Sequence, residues 1–598
     1  MHVLATRPGG YAAGDGVVDL AQTPADIVLL SAADTDLRLL ADACETLPDG
    51  APSLRLASLL SLRSNGSVDL YVESVLEHAK LVVVSLIGGA SYWPYGVEQL
   101  VERARDGKLQ LVLVPGDDTR DPELERLSTA DAADCFRIWR FLREGGPDNA
   151  RSLLRLLSVR FFQRGEDPGQ PRPLPRVAVY HPQQAVSDLA RWQREWRAGA
   201  PVVALLFYRT HLQAGNLHAF DALIGLMQEA GLNPLPISVA SLKETVCNAA
   251  VQELLQRSDA ALVLNTTGFS VSSLESGGNA EGALGLGRPV LQAIVSGGNA
   301  DDWRSQLNGL SPSDLAMNVV LPEVDGRIIT RAISFKGLAR RSERAEIDVA
   351  EYQLEHDRAE FVVELAARWA KLARTPARER RIAVVLANYP SRDGRLGNGV
   401  GLDTPASTIA ILNALQSAGS AVADVPPDGT ALMKLLQVHV TNELELLDSR
   451  PAQQSLALED YAAFLATLPL ELVAAVEQRW GPPERDPRVR HGRIVVAGVQ
   501  LGKTFVGIQP ARGYEIDVAS TYHDPDLVPP HGYLAFYAWL RQAYGAHAVV
   551  HVGKHGSLEW LPGKSDALSN QCWPDAVLGA LPHLSPFIVN DPGEGTQA

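Results

Sequence analysis

The chain has 598 residues, of which 46% are hydrophobic and 21% charged, and a formal net charge of −16. A single hydrophobic core rarely grows past about 250–300 residues, so three or four domains of an ordinary globular protein are expected. The acidic balance excludes a broad nucleic-acid-binding surface, which needs clustered Lys and Arg, and gives no support to an anionic membrane partner; a local basic pocket for an anionic substrate stays compatible with it.

The N-terminus, MHVLATRPGG, has no basic segment followed by an apolar stretch, so no signal peptide is read there. The longest uncharged stretch, Leu81 to Val97, contains Gly88, Gly89 and Pro94 and reads as a strand and a loop, not a membrane span. Cys44, Cys135, Cys247 and Cys572 form no C-x-x-C pair. That argues against a disulfide scaffold or a structural zinc site and suits a reducing cytoplasm.

Short runs rich in Val, Ile and Leu recur along the chain: Asp26–Ser31, Leu81–Ile87, Leu111–Pro115, Val202–Tyr208, Ala261–Asn265, Ile382–Asn388 and Ala548–Gly553. Such runs suit strands buried on both faces. Helical patterns such as Phe220–Ala230 lie between them, which implies α/β domains with largely parallel sheets. The Pro- and Gly-rich stretch Arg164–Pro175 reads as a linker. A charged helical stretch is expected from about Arg341 to Leu372, and a helix-rich region from Pro405 to Trp480, closed by GPPERDP. The expected organisation is an α/β domain over 1–165, a second over 166–335, a helical connector over 336–380, and a composite α/β domain with a helical insertion over 381–598. The pentapeptide SGGNA occurs at Ser276–Ala280 and Ser296–Ala300, too short to establish a repeat.

Four constellations hold residue types suited to chemistry. In GGASYWPYG, Gly88–Gly96, the aromatics Tyr92, Trp93 and Tyr95 are candidates to stack on a flat ring. In YRTHLQAGN, just after a strand, Arg209, His211 and Asn216 are placed to contact a ligand. Taken alone, each of these two segments reads first as an ordinary loop packed on itself.

In NYPSRDGRLGNGVGLDTPAS, Asn388 to Ser407, a glycine-rich loop follows a strand and leads to Thr404, read as an N-cap with Pro405 at the first helical position. A helix N-terminus after such a loop attracts anions, and Arg392 and Arg395 reinforce that. A long connection without ligand is the competing reading.

The densest constellation is HVGKHGSLEWLPGK, His551 to Lys564. Ligands collect at the carboxyl ends of strands in open α/β sheets. Here His551, His555 and Glu559 supply imidazole and carboxylate groups that suit borderline divalent metals or accept protons, while Lys554 and Lys564 suit substrate carboxylates. A loop whose histidines bond to backbone is the alternative.

One segment is a decoy. AGVQLGKT, Ala497–Thr504, is close to a phosphate-binding Walker A loop, but FVGIQPARG follows, and its Gly507, Pro510 and β-branched residues forbid the helix such a loop needs. Nucleotide binding at Lys503 is therefore rejected. No G-x-S-x-G elbow of a serine hydrolase is present.

The segments HVGKHGSLEWLPGKSDALSNQCWPD, PFIVNDPGEGTQA and NYPSRDGRLGNGVGLDTPAS, with YRTHLQAGN and GGASYWPYGVEQL upstream, resemble the CobN and magnesium-chelatase large-subunit family across essentially the whole chain. The magnesium branch typically has Glu-Phe-Met-Pro-Gly and Pro-Ser-Glu-Ala stretches. This chain has Glu559-Trp560-Leu561-Pro562-Gly563 and Pro592-Gly593-Glu594-Gly595, which resemble the cobalt branch. The resemblance implies a three-component, ATP-dependent chelatase. Its large subunit holds the ring and the metal, and two AAA-plus partners, CobS and CobT, use ATP with Mg²⁺. The implied substrates are Co²⁺ and hydrogenobyrinic acid a,c-diamide, on the aerobic route to cobalamin. The family's large subunit is about twice this long, so the chain is expected to be an N-terminal fragment.

On this reading His551 and His555 are expected as transient metal ligands and Glu559 as a ligand or proton acceptor. Lys554, Lys564, Arg209 and Arg395 are expected to meet the ring's carboxylates. His211, Asn216, Asn388, Asp403, Tyr92, Trp93 and Glu594 complete the expected ring-binding set. The alternatives are a magnesium chelatase and a non-catalytic tetrapyrrole-binding module.

Overall fold

Each continuous apolar run forms a strand, and nearly every residue in these strands is buried. In a computed structural model of the chain, the described residues are 16–107, 109–272, 284, 287–388, 393–399, 401–514, 524–553 and 556–586. The chain divides into two compact units: 1–306 with 310–359, and 307–309 with 360–598. No helix among the described residues is long and apolar enough to cross a membrane.

The first unit carries two sheets. The first has β1 (Ile27–Ser31), β2 (Leu54–Ser58), β3 (Leu81–Leu86) and β4 (Gln110–Pro115) in the order β2-β1-β3-β4, all parallel. The second is built from β5 (Val177–His181), β6 (Gln184–Ser187), β7 (Val202–Tyr208), β8 (Asn233–Val239), β9 (Leu262–Asn265), β10 (Val290–Val295), β11 (Ile328–Ser342) and β12 (Ile347–Leu354). Its order is β12-β11-β10-β9-β7-β8-β5-β6, parallel from β11 to β8 and antiparallel at both edges. Arg164–Pro175 lies between the two sheets in sequence.

The charged helix expected from Arg341 is a correction. Residues up to Leu354 form the long β11–β12 hairpin, with Glu346 at φ +49° in its turn, and the helix runs from His356 to Arg374. Arg341, Glu343, Arg344 and Asp348 are exposed, while Val349 and Tyr352 are buried, and strand pairing by the β-branched Ile347 and Val349 overrides the helical look of the charge run. The hairpin tip reaches the first sheet. Leu56 N–H donates to Ala345 O at 3.3 Å, Gln22 Nε2 donates to Glu346 O at 2.8 Å, and Ala345 and Val349 join the apolar core around the helix Asp34–Glu45.

The second unit centres on β13 (Ile382–Leu386). The short β14 (Asn398–Gly399) and β15 (Leu402–Asp403) pair after it, and β16 (Gln454–Ala457), β17 (Val489–Arg490) and β18 (Arg493–Val496) make a small antiparallel sheet. The main sheet adds β19 (Gly498–Leu501), β20 (Thr504–Ile508), β21 (Ala548–Val552) and β22 (His583–Leu584) in the order β19-β20-β13-β21-β22. The strands β20, β13, β21 and β22 run parallel, and β19 and β20 pair antiparallel. Helices Thr404–Ser417, Gly429–Val438, Leu458–Leu465 and Leu470–Trp480 fill the expected helical region. The Walker-like segment is the β19–β20 hairpin, turning at Gly502 (φ +69°) and Lys503; no helix follows Lys503, as its sequence requires.

Candidate functional site

Strands β13, β20 and β21 end side by side, so the residues that follow them converge on the carboxyl edge of one sheet. Gln509 N–H donates to Leu386 O at 2.9 Å and Ala387 N–H to Val552 O at 3.0 Å, which fixes Asn388, Gln509 and Gly553 as neighbours of that edge. Asn388 and Gln509 are buried.

The floor of this edge is a polar network that sequence reading missed. Asn442 Nδ2 donates to Gln509 O at 2.8 Å, and the buried Arg488 donates to Thr441 O at 3.1 Å and Asn442 Oδ1 at 3.2 Å. Burial lowers the pKa of Arg488, with Tyr514 and Asp486 opposing. The carboxylate of Asp486 accepts from Gly532 N–H at 2.9 Å and from Tyr514 O–H at 3.0 Å. The loop after β13 is pinned by Asp393, which accepts from Thr441 Oγ1 at 2.6 Å and from Arg450 Nη1 at 2.7 Å. Arg395 is exposed on the same turn.

Asp403, not Thr404, is the N-cap of the helix Thr404–Ser417: its Oδ1 accepts from Ala406 N–H at 3.0 Å. This corrects the expected cap by one residue. A carboxylate is the better cap acceptor, and Thr404 is fully buried with its hydroxyl unpaired.

Glu559 is exposed at this edge, held where its Oε1 accepts from Gly556 N–H at 2.6 Å. A Cβ placed on Gly556 would stand 3.0 Å from Glu559 Oε2 and 3.2 Å from Gln509 Nε2, so these two side chains flank the glycine. Two residues before Glu559, Ser557 Oγ is 2.8 Å from the hydroxyl of the buried Tyr533. Tyr533 and Tyr537 lie one turn apart on the helix His531–Ala538, with ring centroids 5.4 Å apart. Burial raises both phenols, and the Glu559 charge adds to that. Their signal in the sequence is two hydroxyls on an otherwise apolar helix, since buried tyrosines need partners.

His551 is placed differently from its expected role. It is 6% exposed, Nε2 lies 3.0 Å from Tyr537 Oη, and Nδ1 lies 2.6 Å from His583 Nε2. Both ring nitrogens are thus engaged, and burial holds its pKa well below the ordinary range. A metal ligand needs a free lone pair, so in this arrangement His551 corrects from ligand to hydrogen-bonding core residue. His583 is exposed as a residue, yet its imidazole is sheltered enough against His551 for its pKa to fall to about 4. Lys564 is half-buried, and burial lowers its pKa against the pull of Cys572 and Asp566. No group of three or more His, Cys, Asp or Glu among the described residues is arranged to hold a metal ion. Lys554, His555 and Glu594 lie outside the described residues, as does Arg392.

The upstream candidates belong to the first unit and are packing residues there. Arg209 is buried, with Nη2 donating to Glu144 Oε2 at 3.2 Å and Leu174 O at 3.0 Å. Burial lowers its pKa, with Glu144 opposing. His211 is wedged between Phe220 and Tyr352, ring centroids 4.8 and 5.1 Å away, and burial, aided by the Lys336 charge, lowers its pKa to about 3. Asn216 is buried just beyond the left-handed Gly215. Trp93 is 5% exposed, donates Nε1–H to Leu62 O at 2.8 Å, and packs on Gly96, where a Cβ would meet the indole at 2.1 Å. It is core, not a platform for a ring. Tyr92 alone of that trio is exposed at its side chain without such an anchor in the core, while Tyr95 donates to Asp69 at 2.6 Å.

Residues 139–598 match the family described as CobN/Magnesium Chelatase. The chain belongs to this family. It is 56% identical over its whole length to the aerobic cobaltochelatase subunit CobN of Pseudomonas aeruginosa, covering 48% of that protein. To a magnesium-chelatase subunit of Rhodobacter capsulatus it is 27% identical, over 78% of the chain and 39% of the relative. Among solved structures it is similar to the catalytic subunit of cobaltochelatase from Mycobacterium tuberculosis, with a TM-score of 0.72 and 34% identity, covering 96% of this chain and 46% of that one. The chain thus spans about half the length of the curated cobaltochelatase relatives it matches.

Proposed function

We propose that this chain is the ring- and metal-handling part of an aerobic cobaltochelatase large subunit. In this reading a cytoplasmic complex inserts Co²⁺ into hydrogenobyrinic acid a,c-diamide on the aerobic route to cobalamin, and the AAA-plus partners CobS and CobT use ATP with Mg²⁺. The observation that carries it is the gap in identity: 56% over all of this chain with a CobN subunit, against 27% over 78% of it with a magnesium-chelatase subunit. The stretch Glu559-Trp560-Leu561-Pro562-Gly563 favours the same branch, and the hairpin at Gly502–Lys503 is in keeping with ATP hydrolysis by a partner.

Cobalt and the ring are substrates here. Insertion breaks a ring N–H bond and forms a Co–N bond, so the site must take up a proton. Glu559 suits that role, because its carboxylate is exposed and the Gly556 N–H orients it. His555, as an imidazole donor, is the proposed partner of Glu559 toward cobalt, which imidazole suits better than it suits Mg²⁺. Lys554, Lys564 and Arg395 are the proposed contacts of the ring's carboxylates, with Asn388, Asp403, Tyr92 and Glu594 as further contacts.

The test is a titration of the chain with hydrogenobyrinic acid a,c-diamide, followed by the ring's absorbance, with protoporphyrin IX as the comparison. Tight binding of the corrinoid precursor alone is the expected result. Preference for protoporphyrin would overturn the cobalt branch.

A further inference from the structure

Gln509 stands where β20 ends, and its backbone is held on both sides. Its N–H donates to Leu386 O at 2.9 Å, and its carbonyl accepts from Asn442 Nδ2 at 2.8 Å. Asn442 is in turn fixed by Arg488 Nη1, which donates to its Oδ1 at 3.2 Å. The side chain anchored in this way is 4% exposed, and its Nε2 has no hydrogen-bond partner among the described residues. Tyr537, whose phenol the Gln509 amide influences, places its own hydroxyl against His551 Nε2 at 3.0 Å. A buried N–H without an acceptor destabilises a fold, and an apolar side chain of the same size would avoid that cost. The amide borders the Glu559 loop. The point that a Cβ of Gly556 would occupy is 3.2 Å from Gln509 Nε2 and 3.0 Å from Glu559 Oε2, so both atoms border the space that the glycine leaves empty. The other carboxylate oxygen, Oε1, accepts from Gly556 N–H at 2.6 Å.

We infer that Gln509 is a positioning residue for Glu559: with the ring in place, its Nε2–H donates across Gly556 to Glu559 Oε2. The inference rests on the cobalt-insertion reading above, in which Glu559 takes up the proton of a ring N–H. A carboxylate held by one oxygen alone can swing about that contact, and Glu559 is exposed, with room to turn. Gln509 is buried and anchored through its backbone, so a second hydrogen bond from it fixes the carboxylate in one orientation. The remaining lone pairs then stay aimed at the ring. Gly556 is required between the two residues, because any side chain there would fill the space across which donor and acceptor meet. The inference also explains why an anchored, buried residue keeps a donor that the ring-free protein does not use.

The test uses the complete large subunit with its ATP-hydrolysing partners. Gln509→Leu keeps the side chain close to its size and removes the donor. It is expected to lower kcat for cobalt insertion at least tenfold, with KM and affinity for the ring within twofold of the parent. Its denaturation midpoint is expected to equal or exceed the parent's, because the deleted N–H has no partner in the ring-free protein. Gly556→Ala, which puts a methyl group into the space between the two side chains, is expected to be slow in the same way. A Gln509→Leu rate within twofold of the parent overturns the inference, and so does a fall in ring affinity as large as the fall in rate. A Gln509→Leu protein that is less stable than the parent, or that fails to fold, overturns it too, since the amide is then part of the scaffold. The parent and Glu559→Gln are measured alongside. A parent that inserts no cobalt overturns both the reading and the inference. An active parent with an unimpaired Glu559→Gln variant overturns the role of Glu559 and its positioning together. An active parent with inactive Glu559→Gln and unimpaired Gln509→Leu overturns the positioning alone.

Discussion

His551 Nδ1 and His583 Nε2 stand 2.6 Å apart, joined across 32 residues of sequence, and the second nitrogen of His551 is taken by Tyr537. Because both nitrogens are used, removing the imidazole strands two polar groups. His551→Phe is expected to destabilise the second unit by about 1–3 kcal/mol, the cost of a buried hydroxyl left unpaired. The double variant His551→Phe with Tyr537→Phe, which removes that hydroxyl, is expected to lose less than the two single losses added together. Denaturant unfolding of the four proteins checks this.

His211 gives a pH signature to the first unit. Its pKa falls to about 3 between Phe220, Tyr352 and the Lys336 charge, itself paired with Asp34, whereas in the unfolded chain it titrates near 6.5. The unfolded state therefore binds the extra proton in the window between, so stability is full above about pH 6.5 and falls on acidification toward pH 3. The expected contribution is about 1.4 kcal/mol per pH unit within that window. His211→Phe should flatten the profile of unfolding free energy between about pH 4 and 5.5 by nearly that slope.

Asp393 ties the loop after β13 to Thr441 and Arg450. Asp393→Ala is expected to cost about 1–3 kcal/mol, since it also leaves the Arg450 guanidinium short of its partner. Amide exchange over residues 393–399 is expected to rise more than exchange over β20. An unchanged exchange rate in that loop would remove Asp393 from the role of anchor.

The two residues at the start of the helix Thr404–Ser417 make opposite predictions. Asp403→Ala removes the cap accepted from Ala406 N–H and is expected to cost about 1 kcal/mol. Thr404→Val replaces a buried hydroxyl that has no partner with a methyl of the same shape, and is expected to be neutral or stabilising. Melting temperatures of the two variants decide it.

The strands were legible because their signal is local. Residues such as Val82, Val83 and Val84 are buried on both faces of a parallel sheet, which writes an uninterrupted apolar run into the sequence. The same logic excluded a nucleotide loop at Lys503, where a turn between β19 and β20 was the outcome its neighbours dictated. Pairings over long distances left no such trace. The residues of β12 carry a charge pattern that also suits a helix, and only their register with β11 decides between the two. His551 sits in a motif dense with ligand-type residues, but its environment comes from Tyr537 and His583, which no spacing rule connects to it. Arg209, His211 and Trp93 mislead in the same way, because a polar or aromatic side chain beside a strand end reads alike whether it faces a ligand or a neighbouring helix.

The reach of the β11–β12 hairpin has a consequence for the order in which the chain can assemble during synthesis. The first sheet is translated early, yet Gln22 Nε2, which also donates to Leu56 O, finds its second acceptor at Glu346 O, 324 residues later, and Leu56 N–H finds Ala345 O. Until that hairpin emerges, the partly apolar surface around β2 and the helix Asp34–Glu45 stays uncovered. Closing so long a loop carries an entropic cost that grows only slowly with its length, but the delay is set by translation and not by that cost. The part of the chain made first is therefore finished among the last of its unit, and a truncation before residue 345 produces a first sheet with an open flank.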